Sequence, residues 1–204
     1  MARLIAIGAS TGGPDAVREV LRGLPANCPP VVVAQHMQEN FIARFAESLS
    51  RQTVLRVVEA RGGERALPGH VYLAPGHANL RINPLGDDFV LELTPHGDSL
   101  YTPSVDVLFH SVAQAAGKRA LGVLLTGMGK DGAAGLLAMR RAGAWTIAQD
   151  QASSVVWGMP RAAAELGAAE VVAPLRAIGQ HVCERLGLLP MSGNPDEAEA
   201  RPRG

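Results

Sequence analysis

The segment Ile5-Ala6-Ile7-Gly8-Ala9-Ser10-Thr11-Gly12-Gly13-Pro14 constrains this chain more than any other stretch. Its apolar start reads as a buried strand, and the strand breaks in a glycine-rich turn. A helical pattern follows at once, with Val17, Val20, Leu21 and Leu24 at i, i+3, i+4 and i+7. Strand, tight turn and helix together put one hydroxyl, that of Ser10, at the carboxyl edge of a sheet. Gly8-x-Ser10-x-Gly12 fits the nucleophile-elbow pattern, in which small neighbours expose a serine oxygen on a sharp turn. The same kind of turn also serves as a phosphate cradle or as plain structural punctuation.

The rest of the chain repeats the unit. Val31–Ala34, Leu55–Val58, Val71–Ala74, Ala120–Leu125, Trp145–Ala148 and Val171–Val172 read as strands. Helical stripes lie between them: Phe41, Ile42, Phe45 and Leu49 over 39–51, then Val105, Leu108, Phe109 and Val112. Leu136, Leu137 and Met139 form another, and a last helix is expected over 174–186. Asn79–Ile82 and Phe89–Leu93 alternate instead, around a Pro/Gly/Asp turn, and predict an antiparallel hairpin. Strands alternating with helices imply an α/β fold: a doubly wound, mostly parallel sheet with helices on both faces and an inserted antiparallel hairpin. One domain is expected over 1–190, and residues 191–204, with nothing to bury, are expected to form a disordered tail.

Composition excludes several functions. The 19 basic residues balance 19 acidic ones, which leaves no footprint for nucleic acid or for a basic membrane patch. No apolar run approaches the roughly 20 residues a membrane helix needs. Met1–Leu4 run straight into the first strand without a signal-peptide layout, so a cytoplasmic protein is expected. Cys28 and Cys183 are far apart in sequence, lack metal-site spacing, and read as free thiols. No metal and no cofactor is expected.

In such a sheet, reactive groups gather outside the carboxyl ends of the strands. Three strands end in candidates: Ser10, His36 and Asp131. A serine needs a base, and the base needs an acceptor to fix its tautomer, so these are the residue types that nucleophilic catalysis requires. Each also has a plain role: Ser10 as a turn residue, His36 as a structural histidine, Asp131 as a cap of the helix that follows it. Asp150, at another strand end, rivals Asp131. A doubly wound order places the strand of Ser10 between the other two, so the Gly127–Gly132 loop would have to cross toward His36. A dinucleotide fold would want an acid where Gln35-His36-Met37 stands, and the glycine spacing departs from G-x-G-x-x-G. An α/β-hydrolase would run serine, acid, histidine along the chain, which this order does not.

Four blocks occur in order: Gly8-Ala9-Ser10-Thr11-Gly12-Gly13-Pro14; Gln35-His36-Met37; Leu125-Thr126-Gly127-Met128-Gly129-Lys130-Asp131-Gly132; and Ala148-Gln149-Asp150-x-x-Ser153 through Gly158-Met159-Pro160. Together with Tyr72-Leu73-Ala74-Pro75 and Pro103-Ser104-Val105-Asp106, they resemble the catalytic domain of the chemotaxis protein-glutamate methylesterases, the CheB family. The resemblance covers about residues 3–185.

It implies Ser10 as nucleophile, His36 as general base and Asp131, rather than Asp150, as the residue that orients His36. The substrate it implies is a methylated glutamate on the cytoplasmic helices of a chemoreceptor, with deamidation of receptor glutamines by the same machinery. The backbone amides of Thr11 and Met128, both in glycine-flanked turns, are the candidate oxyanion donors. The family's usual form starts with a receiver domain, whereas this sequence starts at the catalytic domain's first strand, as a stand-alone member or an excised domain would. A separate receiver is then a candidate partner. Lys130 stands where asparagine is usual. The competing reading is a catalytically inactive receptor-binding or regulatory module of the same fold.

Overall fold

The computed structural model describes residues 3–97 and 100–191; apart from Met191, the expected tail lies outside the described residues. The elements are β1 (Leu4–Ala9), α1 (Gly13–Arg22), β2 (Val31–Gln35), α2 (Glu39–Ser50), β3 (Arg56–Glu59), β4 (His70–Leu73), β5 (Asn79–Leu85) and β6 (Asp88–Thr94). They continue with α3 (Val105–Ala116), β7 (Ala120–Leu124), α4 (Ala133–Arg141), β8 (Trp145–Gln149), α5 (Met159–Glu165), β9 (Val171–Ala173) and α6 (Leu175–Leu186).

Seven strands form one sheet in the order β3-β4-β2-β1-β7-β8-β9, and every pairing in it is parallel. The strand order reverses at β1, which lies between β2 and β7 as expected for a doubly wound sheet. A ligand crevice is expected outside the strand ends at that switch point. The hairpin β5–β6 is a separate two-stranded sheet. Its ladder runs on through Pro84–Phe89 and Leu85–Asp88, leaving Gly86 and Asp87 as the turn, so the strands are longer than their alternating segments suggested.

Alternation along each buried strand divides the core into two layers. Ile5, Ile7, Val31, Val33, Leu121 and Val123 face α1, α2 and α6. Leu4, Ala6, Val32, Ala34, Ala120 and Leu124 face α3, α4, α5 and the hairpin. The hairpin is held on α3 by apolar packing and by the Ile82 amide, which donates to Ser111 Oγ at 3.0 Å. Cys28 and Cys183 are both free and buried. Burial pushes the Cys28 thiol up to about 11, so it is a protonated, inert part of the core. No helix among the described residues is long and apolar enough to cross a membrane.

The layer above β1 matters for the site. Gly8 lets α3 lie directly on β1: a methyl group there would overlap Val105 Cγ1 and stand 3.1 Å from Leu124 Cδ1 and 3.2 Å from Phe109 Cζ. The N-terminus of α3 is therefore seated over the strand that carries Ser10. Gly8→Ala is expected to lift α3 and to destabilise the fold by about 1–3 kcal/mol, as overpacking does. The measurement is the denaturant midpoint; a midpoint equal to that of the parent would mean that the α3–β1 contact is not tight.

Candidate active site

Residue pairing along β1 and β2 brings two of the candidates to adjacent strand ends. The ladder ends with Ala9 opposite Gln35, and the His36 amide still donates to Ala9 O at 3.0 Å. Ser10 and His36 are thus the first residues beyond the paired region of neighbouring strands. The chain turns sharply after Ser10: its carbonyl accepts from the Gly13 amide at 2.8 Å. Gly12 takes φ 78° and ψ −2°, the third position of a type II turn. No described residue other than glycine has a positive φ. Ser10 therefore lacks the left-handed backbone of a nucleophile elbow, and the glycine that follows makes the turn instead.

Asp131 does cross to His36. Its Oδ2 stands 2.7 Å from His36 Nε2, and the carboxylate is only 6 % exposed. The crossing is supported on the far side by α3, whose Val105 amide donates to Oδ2 at 2.8 Å. The Asp106 amide and Ser104 Oγ donate to Oδ1 at 2.9 and 3.0 Å. Asp131 thus caps a helix, though not the one that follows it in sequence. The helix it caps is α3, while α4 has Gly132 at its N-cap position, which offers no side chain to cap it. That vacant role goes to Asp106, which accepts from the Gly135 amide in the first turn of α4 at 2.6 Å. Each of the two helices is capped by a carboxylate from the other's segment.

The two carboxylates differ electrostatically. Burial alone would raise Asp131, but the His36 hydrogen bond and the Asp106 and Val105 amides outweigh it and hold the carboxyl below the usual range. Asp106 is raised, mainly by burial, with the Gly135 amide working against the shift and the nearby Asp131 charge adding to it.

The remaining candidates fall into place around this pair. Tyr101 lies flat on His36, ring centroids 4.5 Å apart and planes 10° from parallel. Thr126, buried at the end of β7, accepts the Ser10 amide on its carbonyl at 3.0 Å, and its Oγ1 stands 3.0 Å from Thr11 O. Among the described residues, the amides of Thr11 and Met128 donate no hydrogen bond to the protein, and Ser10 Oγ makes none. Catalytic hydrogen bonds are often long without substrate and tighten when it binds. Asp150 is occupied elsewhere, accepting from the Ser153 amide at 3.0 Å and from Ser153 Oγ at 2.6 Å. Lys130 is exposed. Among the described residues no three His, Cys, Asp or Glu side chains gather as a metal site.

Sequence reasoning missed Ser104, Asp106 and Tyr101 as parts of the site. The first two stood in the block Pro103–Asp106, where a helix start offers donors to an anion. Tyr101 carried no signal.

Opposite pH behaviour follows for the two carboxylates. Asp131, lowered in the folded state, contributes stability above about pH 4 that is lost as pH falls through its folded value. Asp106, raised, costs stability as pH rises from about 4 through its folded value. Asp131→Asn is expected to lose about 2–4 kcal/mol at pH 7 and to converge on the parent in acid. Asp106→Asn, which keeps an acceptor for Gly135, is expected to match or exceed the parent at pH 7. Denaturant titrations from about pH 2 to 7 check this, and curves parallel to that of the parent for both variants would refute it.

Residues 5–182 match the family model described as CheB methylesterase. The protein-glutamate methylesterase/protein-glutamine glutaminase 2 of Bordetella avium is 55 % identical over 188 residues, covering 91 % of this chain and 53 % of the relative. The corresponding protein of Nitrosomonas europaea is 52 % identical over 185 residues, covering 90 % and 52 %. The chain spans about half the length of these curated relatives. The crystal structure of the Thermotoga maritima CheB methylesterase catalytic domain superposes with a TM-score of 0.87 at 34 % identity, covering 91 % of this chain and 99 % of that one. A family match over residues 5–182, relatives at this identity and the shared fold agree: the chain belongs to the CheB methylesterase family.

Proposed function

We propose that this chain hydrolyses glutamate methyl esters on the cytoplasmic helices of chemoreceptors, releasing methanol, and deamidates receptor glutamines with the same residues. One observation carries the reading. Beside Ser10, His36 faces a buried carboxylate through Nε2, and a carboxylate held ionised can only accept. Nε2 therefore carries the proton, and the lone pair of Nδ1 is left for the serine. Serine proteases assign the same two roles to the opposite ring nitrogens, so the chemistry is set by roles and not by atom names.

In the reaction, Ser10 Oγ attacks the ester carbonyl carbon as His36 Nδ1 takes the hydroxyl proton. The tetrahedral intermediate collapses, the bond to the methoxy oxygen breaks, and His36 returns the proton to the leaving methanol. Water then attacks the acyl-serine with His36 again as base, releasing the glutamate carboxylate and restoring Ser10. A glutamine side chain follows the same course with ammonia leaving. Asp131 holds the ring and stabilises the imidazolium. The unengaged amides of Thr11 and Met128 are suited to the developing oxyanion, and one such donor is worth about 2.7–4 kcal/mol.

The rim suits a protein substrate: Tyr101, Met128 and Val155 are exposed, and Val155 packs against Gly12 in the Ser10 turn. The reaction belongs in the cytoplasm, where the receptor helices are, and a separate receiver domain is a candidate partner.

Ser10→Ala is expected to lower methanol release from methylated receptor by more than about 1,000-fold; unchanged release ends the proposal. A serine-directed phosphonate separates this reading from an inactive receptor-binding or regulatory module. An adduct at Ser10 supports the esterase, and none would favour binding alone.

A further inference from the structure

Gln35 ends β2 with its side chain on the α1 side of the sheet, by the same alternation that sends His36 to the α3 side. It is 3 % exposed. Its Nε2 donates twice, to the main-chain carbonyl of Ser10 at 2.8 Å and to that of His36 at 3.0 Å. Two carbonyl partners leave no choice of amide orientation, since the flipped group would set Oε1 against two oxygens.

The other end of the amide behaves differently. Oε1 is buried without a hydrogen-bond partner among the described residues. It lies against Gly13, where a methyl group would overlap it. Gln149, in the equivalent place at the end of β8, uses both ends: Oε1 accepts from the Thr126 amide at 2.8 Å and Nε2 donates to Ser153 O at 2.8 Å. Nor does the Ser10 carbonyl need Gln35 to be satisfied, because it already accepts from Gly13. An apolar side chain of equal length would fill the same space and leave the His36 carbonyl unbonded in place of Oε1, one oxygen for another. Stability alone does not account for a glutamine here.

Its placement does. The β1–β2 ladder stops at the His36 amide, so the turns that carry Ser10 and His36 lie just beyond the last rung. We infer that Gln35 is a positioning residue, whose single amide nitrogen grips the Ser10 and His36 carbonyls and sets the spacing of nucleophile and base. The inference rests on the reading of those two residues given above. Gly13 makes room for this amide: a methyl group there would overlap Oε1 and stand 2.8 Å from Ala9 Cβ.

The test uses the full chain, methylated receptor as substrate and a serine-directed phosphonate as a second, receptor-independent readout. Gln35→Met keeps length and packing but removes both donors. It is expected to lower kcat about 10- to 100-fold, leave KM within about twofold, slow phosphonate labelling of Ser10 by a similar factor and leave the melting temperature unchanged. Gln35→Ala removes the amide without adding a new contact and is expected to slow kcat and phosphonate labelling at least as much as Gln35→Met.

If Ser10→Ala is inactive while Gln35→Met keeps kcat within twofold of the parent, the inference is wrong and the nucleophile reading stands. If Gln35→Met fails to fold, Gln35→Ala decides, and kcat and labelling within about twofold of the parent overturn the inference. Activity retained by Ser10→Ala removes the underlying reading, and the inference with it.

Discussion

A carboxylate removed from water must be surrounded by donors, and the Asp131 carboxylate finds four: two amides at the start of α3, the Ser104 hydroxyl and the His36 ring. Most of the architecture around the site can be understood as what this arrangement requires. The loop after β7 must pass the end of β1 to reach β2. It can do so because α3 lies on β1 and presents its N-terminus, with unpaired amides and the positive end of its dipole, where the loop arrives. Gly8 permits that seating, and Asp106 anchors the start of α4 in return. Breaking the cap would leave a buried charge unpaired and would release the loop that borders Ser10.

The same economy of strand ends explains how a serine, a histidine and an aspartate come together in a chain order unlike that of the α/β-hydrolases. β1 stands at the switch point of the sheet, so the turn after it opens on a crevice flanked by the ends of β2 and β7. His36 comes from one flank. Thr126 and the glycine-rich loop come from the other and close around the Ser10 turn through the Thr126 carbonyl and hydroxyl. Buried glutamines at the ends of β2 and β8 link these turns with side-chain amides where the backbone ladders stop. Backbone strain is absent from Ser10 itself, since Gly12 takes the left-handed position. Exposure of Ser10 comes from small neighbours and a tight turn.

Much of this was legible in the residues. Buried strands such as Val31–Ala34 and Ala120–Leu125 are apolar on both faces because helices cover the sheet on both sides. The hairpin was legible from alternation, though its strands run up to the Gly86-Asp87 turn because Pro84 and Leu85 sit at an edge where ladder pairing costs little. Ser10, His36 and Asp131 were legible as strand-end candidates. Spacing alone left Asp131 and Asp150 level, because both follow strands in glycine- or serine-rich loops; the family resemblance favoured Asp131, and the position of α3 is the physical difference between them.

Local periodicity and turn chemistry are enough to specify the alternation of strands and helices, the glycine turn after Ser10 and the three chemically competent strand ends. The tertiary structure alone decided that Asp131 caps α3 and not α4, that Asp106 does the converse, that Tyr101 covers the His36 ring and that one glutamine amide joins the Ser10 and His36 turns. Each of those is a contact between segments distant in sequence. Such contacts depend on which strand lies beside which and how closely a helix seats on the sheet, and local pattern carries no record of either.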